Sequence, residues 1–121
     1  MLLLDTSFIL SCAEHKIDLF TELERTTGIA PHYLTKTTDE LKGIATGNSK
    51  RAETAKLAIA FLKRMTSIPS TGYVDEDILS KTQQGDIVAT TDKRLRTLLK
   101  QKGIRILIIR QRKYVSEYEG K

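Results

Sequence analysis

Short apolar runs alternate with amphipathic segments along the chain. Three apolar runs, at residues 1–4, 87–89 and 104–109, predict buried strands. The segments with helical spacing of apolar residues cover 17–26, 35–45, 49–65 and 74–84, and a last one is marked by Leu95, Leu98 and Leu99. Parallel strands need crossover helices, so this order favours a parallel sheet covered on both faces. The pattern predicts an α/β protein with three layers and a central, mostly parallel sheet.

Three other segments have weaker patterns. Residues 29–30 form at most a very short second strand, and Pro31 fits the turn that would follow it. Residues 68–72 are typical of a connector, and the residues after 109 form a polar tail. We see no internal repeat, so the sequence predicts one domain spanning residues 1–121.

The composition is that of a globular protein with an ordinary core. At 121 residues about two thirds of the unfolded chain's surface can be buried, so a core needs no disulfide or structural metal. The apolar runs stay far below the roughly 20 residues of a membrane-spanning helix, and Asp5 interrupts the first run where a secretory signal would continue. We therefore expect a cytoplasmic protein. One cysteine and two histidines do not make a cluster for zinc.

Basic residues are concentrated near the end of the chain. The chain has 20 Lys and Arg against 15 Asp and Glu, and residues 93–113 contain nine of the basic residues and no acidic one. Such a run favours a polyanion partner, because each neutralised phosphate releases counterions. The alternative is a basic surface that only faces solvent.

Two acidic residues each follow a predicted strand. Asp5 comes after the first apolar run, and Asp92 closes the segment after residues 87–89. Ligands of open parallel sheets bind beyond the carboxyl ends of the strands, and we expect both acids at that edge. Each could instead be a helix N-cap. Two nearby carboxylates repel each other, however, so a cation or a network of hydrogen bonds is needed to compensate their charge.

Two further acidic pairs offer additional carboxylates. In the helix from residue 74, Asp75 lies three and four residues before Ile78 and Leu79, which places it toward the core and cleft, whereas Asp77 is predicted to face Lys81 outside. Glu76 stays possible, and a favourable acidic first turn is the alternative for this helix. Earlier in the chain, Glu40 is favoured over its neighbour because it is nearer the apolar face, although it could simply pair with a surface lysine, Lys36.

Carboxylates at a cleft rim suit hard divalent cations. Mg²⁺ and Mn²⁺ prefer oxygen ligands and retain several waters, so they need neither His nor Cys. Such ions can polarise a phosphodiester and activate a water. A basic surface nearby would hold the phosphate chain that an acidic cleft repels by itself.

Four segments of the sequence resemble the PIN-domain nucleases, which are compact α/β metal-dependent ribonucleases. The segments are Leu-Asp-Thr-Ser at 4–7, Asp-Glu-Leu at 39–41, Val-Asp-Glu-Asp-Ile-Leu at 74–79 and Ala-Thr-Thr-Asp-Lys-Arg-Leu-Arg at 89–96. Matched to the family pattern, the catalytic and metal-binding acids are Asp5, Glu40, Asp75 and Asp92. The polar supports that the resemblance implies are Thr6, Ser7, Thr90 and Thr91. Ser7 stands where Asn is common in the family.

The resemblance also implies a reaction and partners. It implies RNA cleavage dependent on Mg²⁺ or Mn²⁺, frequent homodimers, and RNA contacts that we assign to Lys93, Arg94 and Arg96. The ending of the chain looks more like the PIN proteins of ribosomal RNA processing than like the toxin of a toxin-antitoxin pair. The protein partner would be a ribosome-assembly factor in the first case and an antitoxin in the second. An alternative hypothesis is a catalytically silent PIN-like module that binds RNA or assembles with partners while its acids serve as caps.

Overall fold

The computed structural model describes residues 1–120 and contains one six-stranded sheet. The strands are β1 (Leu2–Leu4), β2 (Pro31–Leu34), β3 (Thr66–Ile68), β4 (Ile87–Ala89), β5 (Arg105–Arg110) and β6 (Tyr114–Glu117). Their order across the sheet is β3-β2-β1-β4-β5-β6, and only β6 is antiparallel to its neighbour. The central, mostly parallel sheet predicted from the sequence is confirmed.

Helices cover both faces of this sheet. They are α1 (Thr6–Glu14), α2 (Leu19–Thr26), α3 (Thr35–Ile44), α4 (Lys50–Leu62), α5 (Val74–Lys81) and α6 (Lys93–Gln101). Side chains alternate along a strand, so Leu2 and Leu4 pack into a core with α1 to α4, while Leu3 packs on the other face with α5 and α6. All three leucines are fully buried, which explains the continuous apolar run. No helix within residues 1–120 is long and apolar enough to cross a membrane.

Two strands lie where the sequence predicted none: β2 starts at the predicted turn, and β3 follows the predicted helix 49–65 and ends at the start of the predicted connector. The short strand predicted at residues 29–30 would have ended before Pro31, whereas β2 begins at Pro31. A proline has no N–H to donate, and it is tolerated as the first residue of a strand. β3 was missed because it is a short edge strand in which Thr66 and Ser67 are exposed, so it lacks an apolar pattern. Together these strands extend the sheet beyond β1.

The predicted polar tail is also partly a strand. β6 turns back along β5, with Arg110 opposite Tyr114, through a turn in which Gln111 and Arg112 have φ of 53° and 56°. On its outer side, the backbone N–H of Val115 donates to Glu22 Oε1 at 2.8 Å. The backbone carbonyl of the same residue accepts from Arg25 Nη2 at 2.6 Å. Two side chains of α2 thus occupy the free edge of β6 at this residue.

The sheet topology fixes where two of the predicted acids lie. β1 and β4 are parallel neighbours with Leu4 opposite Ala89, and the Asp5 backbone N–H donates to the Ala89 carbonyl at 2.9 Å. The turns that follow these two strands therefore begin side by side at one edge. We call this edge, at the carboxyl ends of the parallel strands, the carboxyl edge.

Candidate metal and catalytic site

Asp5 is a buried carboxylate at the carboxyl edge. It occupies the N-cap position of α1, but its side chain makes no capping bond, and only 7% of the residue is exposed. Its Oδ2 accepts hydrogen bonds from Ser7 Oγ at 2.9 Å and from Thr90 Oγ1 at 2.8 Å. Burial raises the pKa of Asp5, against these hydrogen bonds, and the charge of Asp92 raises it further.

Thr90 connects the turn after β1 with the turn after β4. This threonine is fully buried, and its hydroxyl donates to Asp5 and accepts the backbone N–H of Asp92 at 3.0 Å. A second link runs from the Thr91 backbone N–H to Ser7 Oγ at 3.4 Å. The two acids are thus held in one hydrogen-bonded network, and the four small hydroxyl residues predicted as supports provide three of its members.

Asp92 has a local structural role as well as a place in the network. It is the N-cap of α6, and its Oδ1 accepts the backbone N–H of Leu95 at 3.0 Å. The N-cap alternative considered from the sequence therefore holds for Asp92 and not for Asp5. Capping uses one oxygen of an exposed carboxylate, which leaves Oδ2 of Asp92 available to other partners.

Glu40 is joined to the turn that carries Asp5. Thr6 Oγ1 donates to Glu40 Oε1 at 2.6 Å. The same hydroxyl lies 2.9 Å from Thr37 Oγ1, and because Thr6 uses its one hydrogen for Glu40, Thr37 is the donor in this second bond. Among residues 1–120 the ion pairs do not include Glu40 with Lys36. Thr37, fully buried on α3, is a supporting residue that no sequence signal marked.

The sequence prediction that Asp77, in the first turn of α5, lies on the outer face is wrong. Asp77 is 3% exposed and accepts hydrogen bonds from Thr71 N at 2.9 Å, Thr71 Oγ1 at 2.7 Å and Gly72 N at 3.3 Å. The buried face of α5 is centred on Val74 and Ile78, and residue 77 lies three positions after the first of these. Asp77 consequently points inward and fixes the preceding loop.

Asp75 is exposed and lines the same small cavity as Asp92. Both line a small cavity of about 120 Å³ between α5 and α6, together with Glu76 and Arg94. Asp75 thus reaches the same edge as Asp92, although its orientation differs from the prediction because it faces solvent and not the core. Glu76 lines the same cavity.

Replacing Asp77 with Asn should destabilise the protein, by about 2 kcal/mol in the free energy of unfolding at neutral pH, because three hydrogen bonds lose a charged acceptor. These hydrogen bonds, that of the Thr71 hydroxyl first, hold the pKa of Asp77 below its ordinary 3.8. The stabilisation that ionised Asp77 provides is fully present above its ordinary pKa and is lost as the pH falls through its lowered pKa. Urea unfolding of both proteins at neutral and acidic pH measures it. The matched control is Asp75→Asn, since Asp75 is exposed, and equal losses for the two variants would contradict the assignment.

The acids at the carboxyl edge suit a divalent cation in their chemistry. Asp5 is buried beside a second carboxylate, and no ion pair within residues 1–120 neutralises either Asp5 or Asp92. Oxygen donors of this kind fit Mg²⁺ or Mn²⁺. Within the same residues, however, no three acidic, histidine or cysteine side chains already form a metal-binding group. Among these residues the structure joins Asp5 with Asp92 through Thr90 and Glu40 with Thr6, and it places Asp75 and Asp92 at one cavity, without gathering all four carboxylates into one ligand set.

The predicted RNA-binding residues lie in the first turns of α6. Lys93 and Arg94 are exposed, and Arg94 lines the cavity shared by Asp75 and Asp92. Arg96 is half-buried, and its guanidinium carbon lies 4.4 Å from the centroid of the Tyr118 ring. Two of the three cations are therefore free to face a polyanion at this edge, while the third is held against an aromatic ring.

Comparison with known proteins places these features in context. Residues 2–112 match the family profile described as a PIN-like domain. Ribonuclease VapC4 of Methanocaldococcus jannaschii is 30% identical over 118 residues, which cover 91% of this chain and 90% of that protein. The solved structure of the PIN domain endonuclease Utp24 is similar with a TM-score of 0.81 and 26% identity, covering 98% of this chain and 91% of that one.

Proposed function

This chain belongs to the PIN-like domain family, and we propose that it is a metal-dependent endoribonuclease that hydrolyses RNA phosphodiester bonds. The observation that carries the proposal is the network at the carboxyl edge, in which Thr90 joins the buried Asp5 to Asp92. The similarity to a ribonuclease and to an endonuclease over nine tenths of each chain supports it.

The proposed site assigns one role to each group of residues. Asp5, Glu40, Asp75 and Asp92 would hold Mg²⁺ or Mn²⁺ and form the catalytic site. When bound, the ion supplies polarisation of the phosphodiester and activation of a water. Ser7 and Thr90 fix the carboxylate of Asp5 by donating to one of its oxygens, and Thr6 fixes that of Glu40. The Thr91 backbone N–H supports Ser7 in turn.

The basic residues beside the acids would attract the substrate. Lys93 and Arg94 are exposed next to Asp92, so they offset the repulsion between the acids and the phosphates of an approaching RNA. Arg96 would add to the positive potential from its position over Tyr118. Besides RNA, the proposal includes a second copy of this chain and either an antitoxin-type inhibitor or a ribosome-assembly partner, as the family resemblance implies.

The proposal is tested with the wild-type chain and end-labelled single-stranded RNA. We expect internal cleavage products with Mg²⁺ or Mn²⁺, none in excess EDTA, and recovery when the metal is restored. RNA binding should weaken as salt rises, because phosphate contacts release counterions. Salt-dependent binding without any metal-stimulated product would reject the nuclease and support the catalytically silent RNA-binding module in its place.

A further inference from the structure

A second, larger groove lies beside the proposed catalytic site. It encloses about 480 Å³ and is formed where β2 and β3 end, at the same carboxyl edge as Asp5. Its lining residues include Thr35, Lys36, Asp39, Ser70, Thr71 and Tyr73. The roles proposed above use none of these side chains.

Tyr73 exposes its ring at this groove. The residue is 71% exposed, more than any other large hydrophobic residue in the described chain. It stands at the N-cap position of α5 but makes no side-chain capping bond, so its ring is not needed to begin that helix. A single exposed hydrophobic residue is common on protein surfaces. Tyr73 differs from such residues because the loop that carries it is held by hydrogen bonds at both ends.

The loop before Tyr73 is fixed at both ends. At one end, Asp77 accepts three hydrogen bonds from Thr71 and Gly72. At the other end, Ser70 donates its backbone N–H to Thr35 Oγ1 at 3.0 Å, and its Oγ accepts the backbone N–H of residue 36 at 2.8 Å. Binding to a loop whose backbone is already held in place costs less conformational entropy than binding to a mobile loop. The backbone that carries the Tyr73 ring is therefore pre-organised for contact.

The charges in the groove favour a nucleobase with its neighbouring phosphate over a free anion. Lys36 and Asp39 are both exposed and line the same groove with opposite charges. A phosphate seated between them would be repelled by the aspartate, whereas a base edge carries N–H donors that an aspartate can accept. Two lining residues are also close in sequence to proposed metal ligands, since Asp39 precedes Glu40 and Tyr73 lies two residues before Asp75.

We propose that this groove binds one unpaired nucleobase of the RNA substrate, with the Tyr73 ring stacked on the base and Lys36 at the adjoining phosphate. An unpaired base can offer its face to the ring, whereas a paired base is stacked on its neighbours within a helix. This inference rests on the proposed function, because it adds a base-binding position, formed by Tyr73 and Lys36, to the RNA-binding surface of the same site.

The test measures binding of a single-stranded RNA oligonucleotide in EDTA, where cleavage is prevented. We expect Tyr73→Ala to weaken binding about 5- to 150-fold, which corresponds to the loss of one base–aromatic stack. Tyr73→Trp should restore the affinity, because it retains a flat aromatic face. The matched control is Ile29→Ala, which also truncates an exposed hydrophobic residue but lies in the segment before the amino end of β2.

Oligonucleotides with one base removed, position by position, identify the contact. At one position the base-free RNA should bind the wild type as weakly as the intact RNA binds Tyr73→Ala, and the variant should not lose further affinity there. Equal binding by Tyr73→Ala and wild type, equal loss with Ile29→Ala, or no RNA binding at all would overturn the inference. Binding that depends on Tyr73 without metal-stimulated cleavage would reject the nuclease and leave the base site standing.

Discussion

Replacing Asp5 with Asn is expected to lower RNA cleavage by at least about 100-fold, since even the loss of a residue that only orients a metal ligand costs about 10- to 100-fold. The fold should survive, because the amide has the same shape and keeps an oxygen that can accept from Ser7 and Thr90. The loss is measured as the rate of RNA cleavage under saturating metal. Cleavage by the variant at the wild-type rate would remove Asp5 from the mechanism.

The same substitution should increase stability at neutral pH. Burial raises the pKa of Asp5 above its ordinary 3.8, so the folded chain binds this proton more tightly than the unfolded chain does. The contribution of Asp5 to the free energy of unfolding therefore falls as the pH rises from its ordinary pKa through its raised pKa. Above the raised pKa the loss of stability is complete. Asn carries no charge and avoids the cost. Thermal unfolding across this range should show a gap in Tm that grows with pH, in favour of Asp5→Asn.

A metal titration separates the two effects of Asp5. Mg²⁺ or Mn²⁺ should raise the Tm of the wild type, since a ligand that binds only the folded state stabilises it by about 2.7 kcal/mol at 100 times its Kd. Asp5→Asn should show a much smaller rise. An equal rise in both proteins would mean that the ion binds elsewhere on the chain.

Replacing Asp92 with Asn is expected to lower cleavage as strongly, with almost no change in stability. Asn is as good an N-cap as Asp, so the bond from the Leu95 backbone N–H to the side chain is kept while the negative charge is lost. Asp92→Ala should lose both, with about 1 kcal/mol less free energy of unfolding. Cleavage rates and urea unfolding of the two variants therefore distinguish the charge of Asp92 from its capping role.

Asp18 supplies the matched control for this experiment. It caps α2 by accepting the Thr21 backbone N–H at 3.3 Å, and it takes part in none of the contacts that join the site residues. Asp18→Asn should leave cleavage unchanged. If Asp92→Asn retains wild-type cleavage, Asp92 is only a cap; if Asp18→Asn loses cleavage as well, the effect is not specific to the site.

The meeting of Asp5 and Asp92 could be predicted because it follows from the strongest patterns in the sequence. β1 and β4 are continuous apolar runs, and parallel strands between helices bring their carboxyl ends to one edge. The roles of Asp75 and Asp77 could not be predicted in the same way. Their orientation depends on where the buried face of α5 is centred, and Val74, which sets it, stands at the very beginning of that helix.

The missed strands lacked the signals that sequence patterns provide. β3 is a polar edge strand of three residues, and its assignment depends on pairing with β2 and not on its own side chains. In the turn into β6, Gln111 and Arg112 have left-handed backbone conformations. Such a turn is normally predicted from glycine or asparagine at these positions. Tertiary packing, which buries Val115, decides this hairpin against the local preference.

The contacts of α2 with β6 limit how these molecules can aggregate. An outermost strand usually offers unpaired backbone groups on which another chain can add a strand. At Val115 those groups are already satisfied by Glu22 and Arg25, which are also paired with each other at 2.9 Å. An incoming strand would first have to displace both side chains from the backbone of Val115, so extension of the sheet into a fibre is disfavoured on this side.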